Sequence, residues 1–188
     1  MSDDPQFHAN VSAVLAELEQ ARSVLRDAVD AIPDVDRAKR PGEGRWSVNE
    51  ILEHLSLVER RFTGLLALRI REAKEAGLGQ EQNPRTPMPA ELKKIFEDRG
   101  NRRNAPDVVR PGGTLDFRAA WQAVEDARAE LRQLICSNQG LALSTVVHQH
   151  PVFGTLNVYQ FAELIANHER RHAKQIAAVN CHDDAAES

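Results

Sequence analysis

Near the C-terminus of the chain, Val158, Phe161, Leu164, Ile165, Ile176 and Val179 recur at intervals of three and four, and His168 and His172 fall on the same row. That period belongs to an α-helix with one buried face. Two histidines four apart on a helix project to the same side with Cβ atoms roughly 6 Å apart, so both imidazoles can reach one metal ion. The literal pattern, His168-Glu169-Arg170-Arg171-His172, is H-E-x-x-H. It has two metal readings: a zinc-protease helix in which the Glu is the general base, or a bundle site in which two ligands on one helix meet a third from another. A chance pair on a solvated face is the third reading. The phase of the stripe argues against it, because unpartnered imidazoles turned toward a core carry a desolvation cost.

Three further long segments share the helical period. The first runs from about Pro5 to Ile32 through Phe7, Val11, Val14, Leu15, Leu18, Leu25, Ala28 and Val29, with Asp3 and Asp4 before it and Pro33 as its stop. After a polar connection from Asp34 to Arg45, Ser47-Val48-Asn49-Glu50 forms a capping box, with Trp46 and Ile51 placed for a hydrophobic staple. Leu55, Val58, Phe62, Leu65, Leu66 and Ile70 continue that second helix, and Gly77 and Gly79 close it. Thr114 or Asp116 caps a third helix that extends to about Ser137, and Asn157 with Gln160 makes a second capping box at the head of the last helix.

These patterns predict an all-α fold, a four-helix bundle, with no convincing strand pair and with His150 to Leu156 as a turn into the last helix. The stretch from Leu78 to Gly113, with prolines at 84, 87, 89, 106 and 111, predicts a long crossover connection between helices 2 and 3, carrying a short helix from Ala90 to Asp98. Residues 1–180 form the expected domain and 181–188 a polar tail.

The 24 basic and 28 acidic residues are intermixed, giving a net charge of −4 and no broad positive field for nucleic acid. No apolar run reaches the roughly 20 residues needed to span a bilayer, and the first residues resemble no secretory leader, so a cytoplasmic protein without a membrane partner is expected. Cys136 and Cys181 are too few for a disulfide framework and are expected to be reduced thiols.

His54 sits three residues past Ile51 and four before Val58, so it too faces inward. Three inward histidines from two helices could supply the nitrogen set that zinc or nickel accepts, with open positions left for water or substrate. The protease alternative fares poorly by counting. The positions where the extended protease motif needs Gly and His are Gln175 and Ala178, and the later candidates His182, Asp183, Asp184 and Glu187 all lie in the tail.

Three separated stretches carry a family resemblance: Trp46-Ser47-x-x-Glu50-Ile51-Leu52-x-His54-Leu55, His150-Pro151-x-x-Gly154-x-Leu156, and His168-Glu169-x-Arg171-His172-x-x-Gln175-Ile176. Together they resemble the DinB-like (DinB/YfiT) superfamily of bacterial four-helix bundles. The resemblance implies a histidine triad, here His54, His168 and His172, that binds one divalent metal ion, commonly nickel or zinc. The family includes bacillithiol S-transferases and mycothiol-dependent maleylpyruvate isomerases, so it also implies a small-molecule substrate and a low-molecular-weight thiol activated by the metal.

Three functions stay open at this point: a metal-dependent transferase using such a thiol, a metal-dependent hydrolase with Glu169 as general base, and a noncatalytic metal- or ligand-binding bundle acting as a homodimer. Glu169 itself has two readings, a base or water-orienting group and a surface salt bridge to a nearby arginine. Glu50 is accounted for by its cap, Gln175 could support His172 or be simply a polar group near the helix end, and His148 and His150 stand before the last helix as site-mouth or turn residues.

Overall fold

The computed structural model describes residues 8–97 and 105–183. It contains α1 (Ala9–Asp30), α2 (Val48–Glu75), a short α3 (Ala90–Glu97), α4 (Phe117–Ser137), the hairpin β1 (Val147–His150) and β2 (Gly154–Asn157), and α5 (Val158–Asp183). Four long helices and the short one in the excursion match the periodicity of the sequence.

Local chemistry sets the helix ends. Ser47 Oγ accepts from the Glu50 amide at 3.2 Å while the Glu50 carboxylate accepts from the Ser47 amide at 2.9 Å. Asn157 and Gln160 make the same reciprocal pair at 2.9 and 3.0 Å. For α4 the cap is Asp116, whose carboxylate accepts from the Ala119 amide at 2.8 Å. α2 closes at Gly77 with φ of 89°, where Gly77 N donates to Lys74 O at 3.0 Å and Leu78 N to Ala73 O at 2.9 Å. That double bond is a Schellman closure, whose left-handed position favours glycine. At the head of α1 the His8 ring accepts from the Asn10 amide at 3.3 Å; the roles expected for Asp3, Asp4, Pro5 and Phe7 lie outside the described residues. α5 passes through 181 to Asp183 because no glycine or proline interrupts it; the side chains at 179–183, and with them the expected Val179 contact, lie outside the described residues, as does that of Phe96.

Cross-helix pairs fix the topology. α2 meets α4 at nearly constant sequence offset, 66 between Asn49 and Leu115, 69 between Glu59 and Arg128, and 64 between Lys74 and Asn138, so these two helices run parallel. α1 and α5 are parallel as well: Val14 and Leu18 from the first half of α1 pack in one cluster with Phe161 and Leu164 from the first half of α5, and Leu25 and Val29 further along α1 pack in the other with Ala173 and Ile176 further along α5. Two parallel neighbours cannot be joined by a tight loop. The connection must return along α2, about 42 Å for 28 residues at 1.5 Å each, which gives the 78–113 excursion its length. The buried carboxylate of Glu163 on α5 secures the outward part of that excursion: it pairs with Arg85, with Lys93 at 3.3 Å, and accepts from the Met88 amide at 3.1 Å.

One expectation fails. Residues 147–157 form an antiparallel hairpin, His150 opposite Gly154 and Val147 opposite Asn157, where the sequence pattern predicted no strand pair and a simple turn. Each strand has four residues, and Val147 and Thr155 are their only β-branched members, too weak a signal for a period of two to register.

The apolar interior falls into two clusters. One gathers Leu18, Leu66, Leu131, Tyr159 and Phe161, the other Leu25, Ile51, Leu52, Val124 and Ile176. Between them, at one level of all four long helices, lies a charged layer: Arg22 on α1, Glu59 on α2, Arg128 on α4 and Glu169 on α5, each at most 4 % exposed. Among the described residues, no helix is long and apolar enough to cross a membrane.

Candidate metal centre

At the level of the charged layer, on the side where α2 faces α5, three imidazoles converge. His54 comes from α2, His168 and His172 from the H-E-x-x-H turn of α5, and one nitrogen of each lies within 4.8 Å of the others. Ring centroids are 5.2 Å apart for His54 and His168, 5.1 Å for His54 and His172, and 4.6 Å for His168 and His172. α2 and α5 run antiparallel here, so the early turns of one meet the late turns of the other; this is how residues more than a hundred positions apart share a site. His54 and His172 are buried and His168 keeps a partly exposed edge.

Two rings have an assigned orientation. His54 Nδ1 lies 2.7 Å from the Val109 carbonyl oxygen, an acceptor that requires the proton on Nδ1 and leaves the Nε2 lone pair free. His172 Nδ1 lies 3.0 Å from Gln175 Oε1, with the same result. The Nε2 atoms of His168 and His172 are 3.1 Å apart, a spacing that lets both sit about 2.1 Å from one ion. Trp46 lies against His54 at 4.8 Å between centroids.

Burial depresses the pKa of all three. Burial is the largest cause at His54, opposed by the bond to the Val109 carbonyl. It also holds His168 well below the ordinary histidine range, with the neighbouring His172, His54 and Arg171 charges acting in the same direction. Burial and His54 bring His172 down to about 3. Neutral imidazoles are the form that coordinates a metal, the Nδ1 contacts of His54 and His172 leave Nε2 as the basic nitrogen of each ring, and protons do not compete for these rings near neutrality. The donor set therefore fits a divalent ion.

Glu169 takes the arginine partnership, in the core and not at the surface. One carboxylate oxygen accepts from Arg22 Nε at 2.6 Å and the other from Arg128 Nη2 at 2.6 Å. Arg128 in turn donates to Glu59 at 2.6 Å through Nε and to the Leu18 carbonyl at 2.7 Å. Burial opposes the charge on Arg128, yet Glu59 and Glu169 hold its pKa above the ordinary value. Both oxygens of Glu169 are thus committed to guanidinium groups. Glu50 serves its cap and pairs with Arg40, which lowers its pKa. His148 and His150 belong to the hairpin: His148 Nδ1 lies 3.2 Å from Arg69 Nε, and His150 Nδ1 accepts from the Val152 amide at 3.1 Å.

Sequence reading missed the Val109 carbonyl, which a residue type does not reveal, and the charged layer, which it could have found. Arg22 stands between Leu18 and Leu25, and Arg128 between Val124 and Leu131. A charge on the apolar row of each helix is the signal of paired burial.

A four-helix bundle with parallel α1 and α5, parallel α2 and α4, and three histidines gathered between α2 and α5 defines a class of helical proteins with a three-nitrogen site close enough to hold a metal ion. The chain belongs to the DinB superfamily, whose sequence profile matches residues 17–176 and so spans all three histidines. It is similar to the uncharacterized protein YuaE of Bacillus subtilis (strain 168), 26 % identical over 163 residues that cover 85 % of this chain and 93 % of that protein. No solved structure matches.

Proposed function

We propose that His54, His168 and His172 bind one divalent metal ion, nickel or zinc, and that the protein is a transferase in which the sulfur of a low-molecular-weight thiol bonds to a small electrophilic substrate at that site as the thiol proton and the substrate's leaving group are released. The observation that carries the reading is the triad itself, three desolvated imidazoles from two helices, two of them held by their Nδ1 atoms with Nε2 left to coordinate. Three protein ligands leave positions for a further one. When bound by His54, His168 and His172, a divalent ion would supply positive charge that favours the ionised, nucleophilic form of a thiol near neutral pH. The chain's own contribution is to fix the rings, keep them neutral, exclude water on the buried side and admit ligands along the exposed edge of His168. Cys136, a free thiol, accords with a reducing cytoplasm. A hydrolase using Glu169 as base has less support, because both carboxylate oxygens are held by Arg22 and Arg128.

The test is to incubate metal-free and metal-loaded protein with a panel of cellular thiols and electrophiles. Thiol consumption by the loaded form alone is the expected result. Substrate loss without thiol would replace this reading with hydrolysis, and no turnover in either form would favour a noncatalytic binding bundle.

A further inference from the structure

The end of the excursion, residues 106–113, runs across α2 beside the triad and touches it at one ligand. Its sequence, Pro106-Asp107-Val108-Val109-Arg110-Pro111-Gly112-Gly113, begins with a tight turn in which Val109 N donates to Pro106 O at 3.0 Å and Arg110 N to Asp107 O at 3.1 Å. The Val109 side chain is buried while its carbonyl accepts from His54 Nδ1. Three residues on, Gly112 N donates to Glu53 Oε1 at 2.9 Å and Gly113 N to Glu53 Oε2 at 3.0 Å. Glu53 is the residue before His54. The two anchors therefore sit on adjacent positions of one helix, and the strap lies over both.

The glycine pair fits this contact sterically. A Cβ on Gly112 would stand 3.3 Å from Glu53 Oε1, and one on Gly113 would stand 3.1 Å from Glu50 Oε1 at a φ of 71°. The close approach of the strap to two carboxylates is what admits the bidentate bond. A carboxylate offers one oxygen to each amide; a carboxamide would turn one of those acceptors into a donor facing an N–H.

We propose that Glu53 is a positioning residue for the metal centre: by clamping Gly112 and Gly113 it holds the Val109 carbonyl on His54, which selects the Nδ1-protonated tautomer and aims Nε2 at the site. This rests on the proposed metal-binding role of the triad. The clamp works through hydrogen bonds at the exposed margin of the strap, where water replaces a lost partner, so the fold does not depend on it. Ligand orientation does, since partners of metal-bound histidines typically govern affinity by about 10- to 100-fold.

Two readouts test it on the full chain. In metal-free protein, nitrogen-15 NMR of the imidazoles should show His54 protonated at Nδ1 in the wild type and a mixture of tautomers in Glu53→Ala, with far-UV circular dichroism unchanged. Competition against a chromogenic chelator for nickel or zinc should show affinity falling about 10-fold or more in Glu53→Ala, with Glu53→Gln between the two. A Glu53→Ala protein with wild-type tautomer and wild-type affinity would overturn the proposal. Should Glu53→Ala fail to fold, the same two measurements on Glu53→Gln decide between the same two outcomes. Absence of metal binding by the wild type would remove the metal reading, while the tautomer comparison would still decide whether the clamp orients His54.

Discussion

Replacing Arg128 by Met should be among the most damaging single changes available in this protein. Arg128 is 4 % exposed and donates to Glu59 at 2.6 Å, to Glu169 at 2.6 Å and to the Leu18 carbonyl at 2.7 Å. Without it, the layer of two arginines and two glutamates carries a net negative charge between two apolar clusters. Glu59 is then left with Arg22 at 3.8 Å. Removing one partner of a buried ion pair costs about 3–5 kcal/mol. At roughly 2–4 °C per kcal/mol for a chain of this size, Tm should fall by about 6–20 °C. Replacing the whole layer by Arg22→Met, Glu59→Leu, Arg128→Met and Glu169→Leu should instead be neutral or stabilising by about 1–4 kcal/mol, because well-packed apolar groups carry no desolvation penalty. Urea unfolding followed by circular dichroism measures both. A loss below about 1 kcal/mol for Arg128→Met, or a fourfold variant as unstable as the single one, would refute the claim that these four side chains compensate one another in the core.

Other outcomes follow from the same geometry. Glu169→Gln should lower stability even in metal-free protein, whereas a residue acting only as a base would lose turnover with stability intact; thermal unfolding and turnover measured together separate the two. Removal of the Ser47 cap by Ser47→Ala should cost about 1 kcal/mol in urea unfolding. The depressed pKa of His172 means that between about pH 6.5 and about pH 3 the unfolded chain binds a proton there that the folded, metal-free chain does not. Metal-free protein should therefore lose stability as pH falls through that window, with a steeper slope than a His172→Asn variant; equal slopes would contradict the buried, neutral state of this ring.

Much of the fold was legible because it rests on local signals. The capping boxes at Ser47 and Asn157, the glycine closure at Gly77 and the three-and-four spacing of the apolar rows each need only neighbouring residues. The inward phase of His54, His168 and His172 was legible for the same reason, and the structure brings the three together. The hairpin was not, because four-residue strands draw their stability from pairing across a turn and from packing on α5. Nor was the fate of Glu169: its position one residue from a candidate ligand suggested chemistry, while its partners Arg22 and Arg128 lie 147 and 41 positions away. The Val109 carbonyl could not be read at all, since every residue has one and only the path of the excursion brings this one to His54.

The claim on which the functional account depends is that the triad holds a metal. Elemental analysis of protein purified without a histidine tag, compared with His54→Ala, His168→Ala and His172→Ala, tests it most directly. One equivalent of nickel or zinc per wild-type chain, falling in each variant, is the predicted result. Stoichiometric metal retained by all three variants, or none in the wild type even after incubation with either ion, would contradict it.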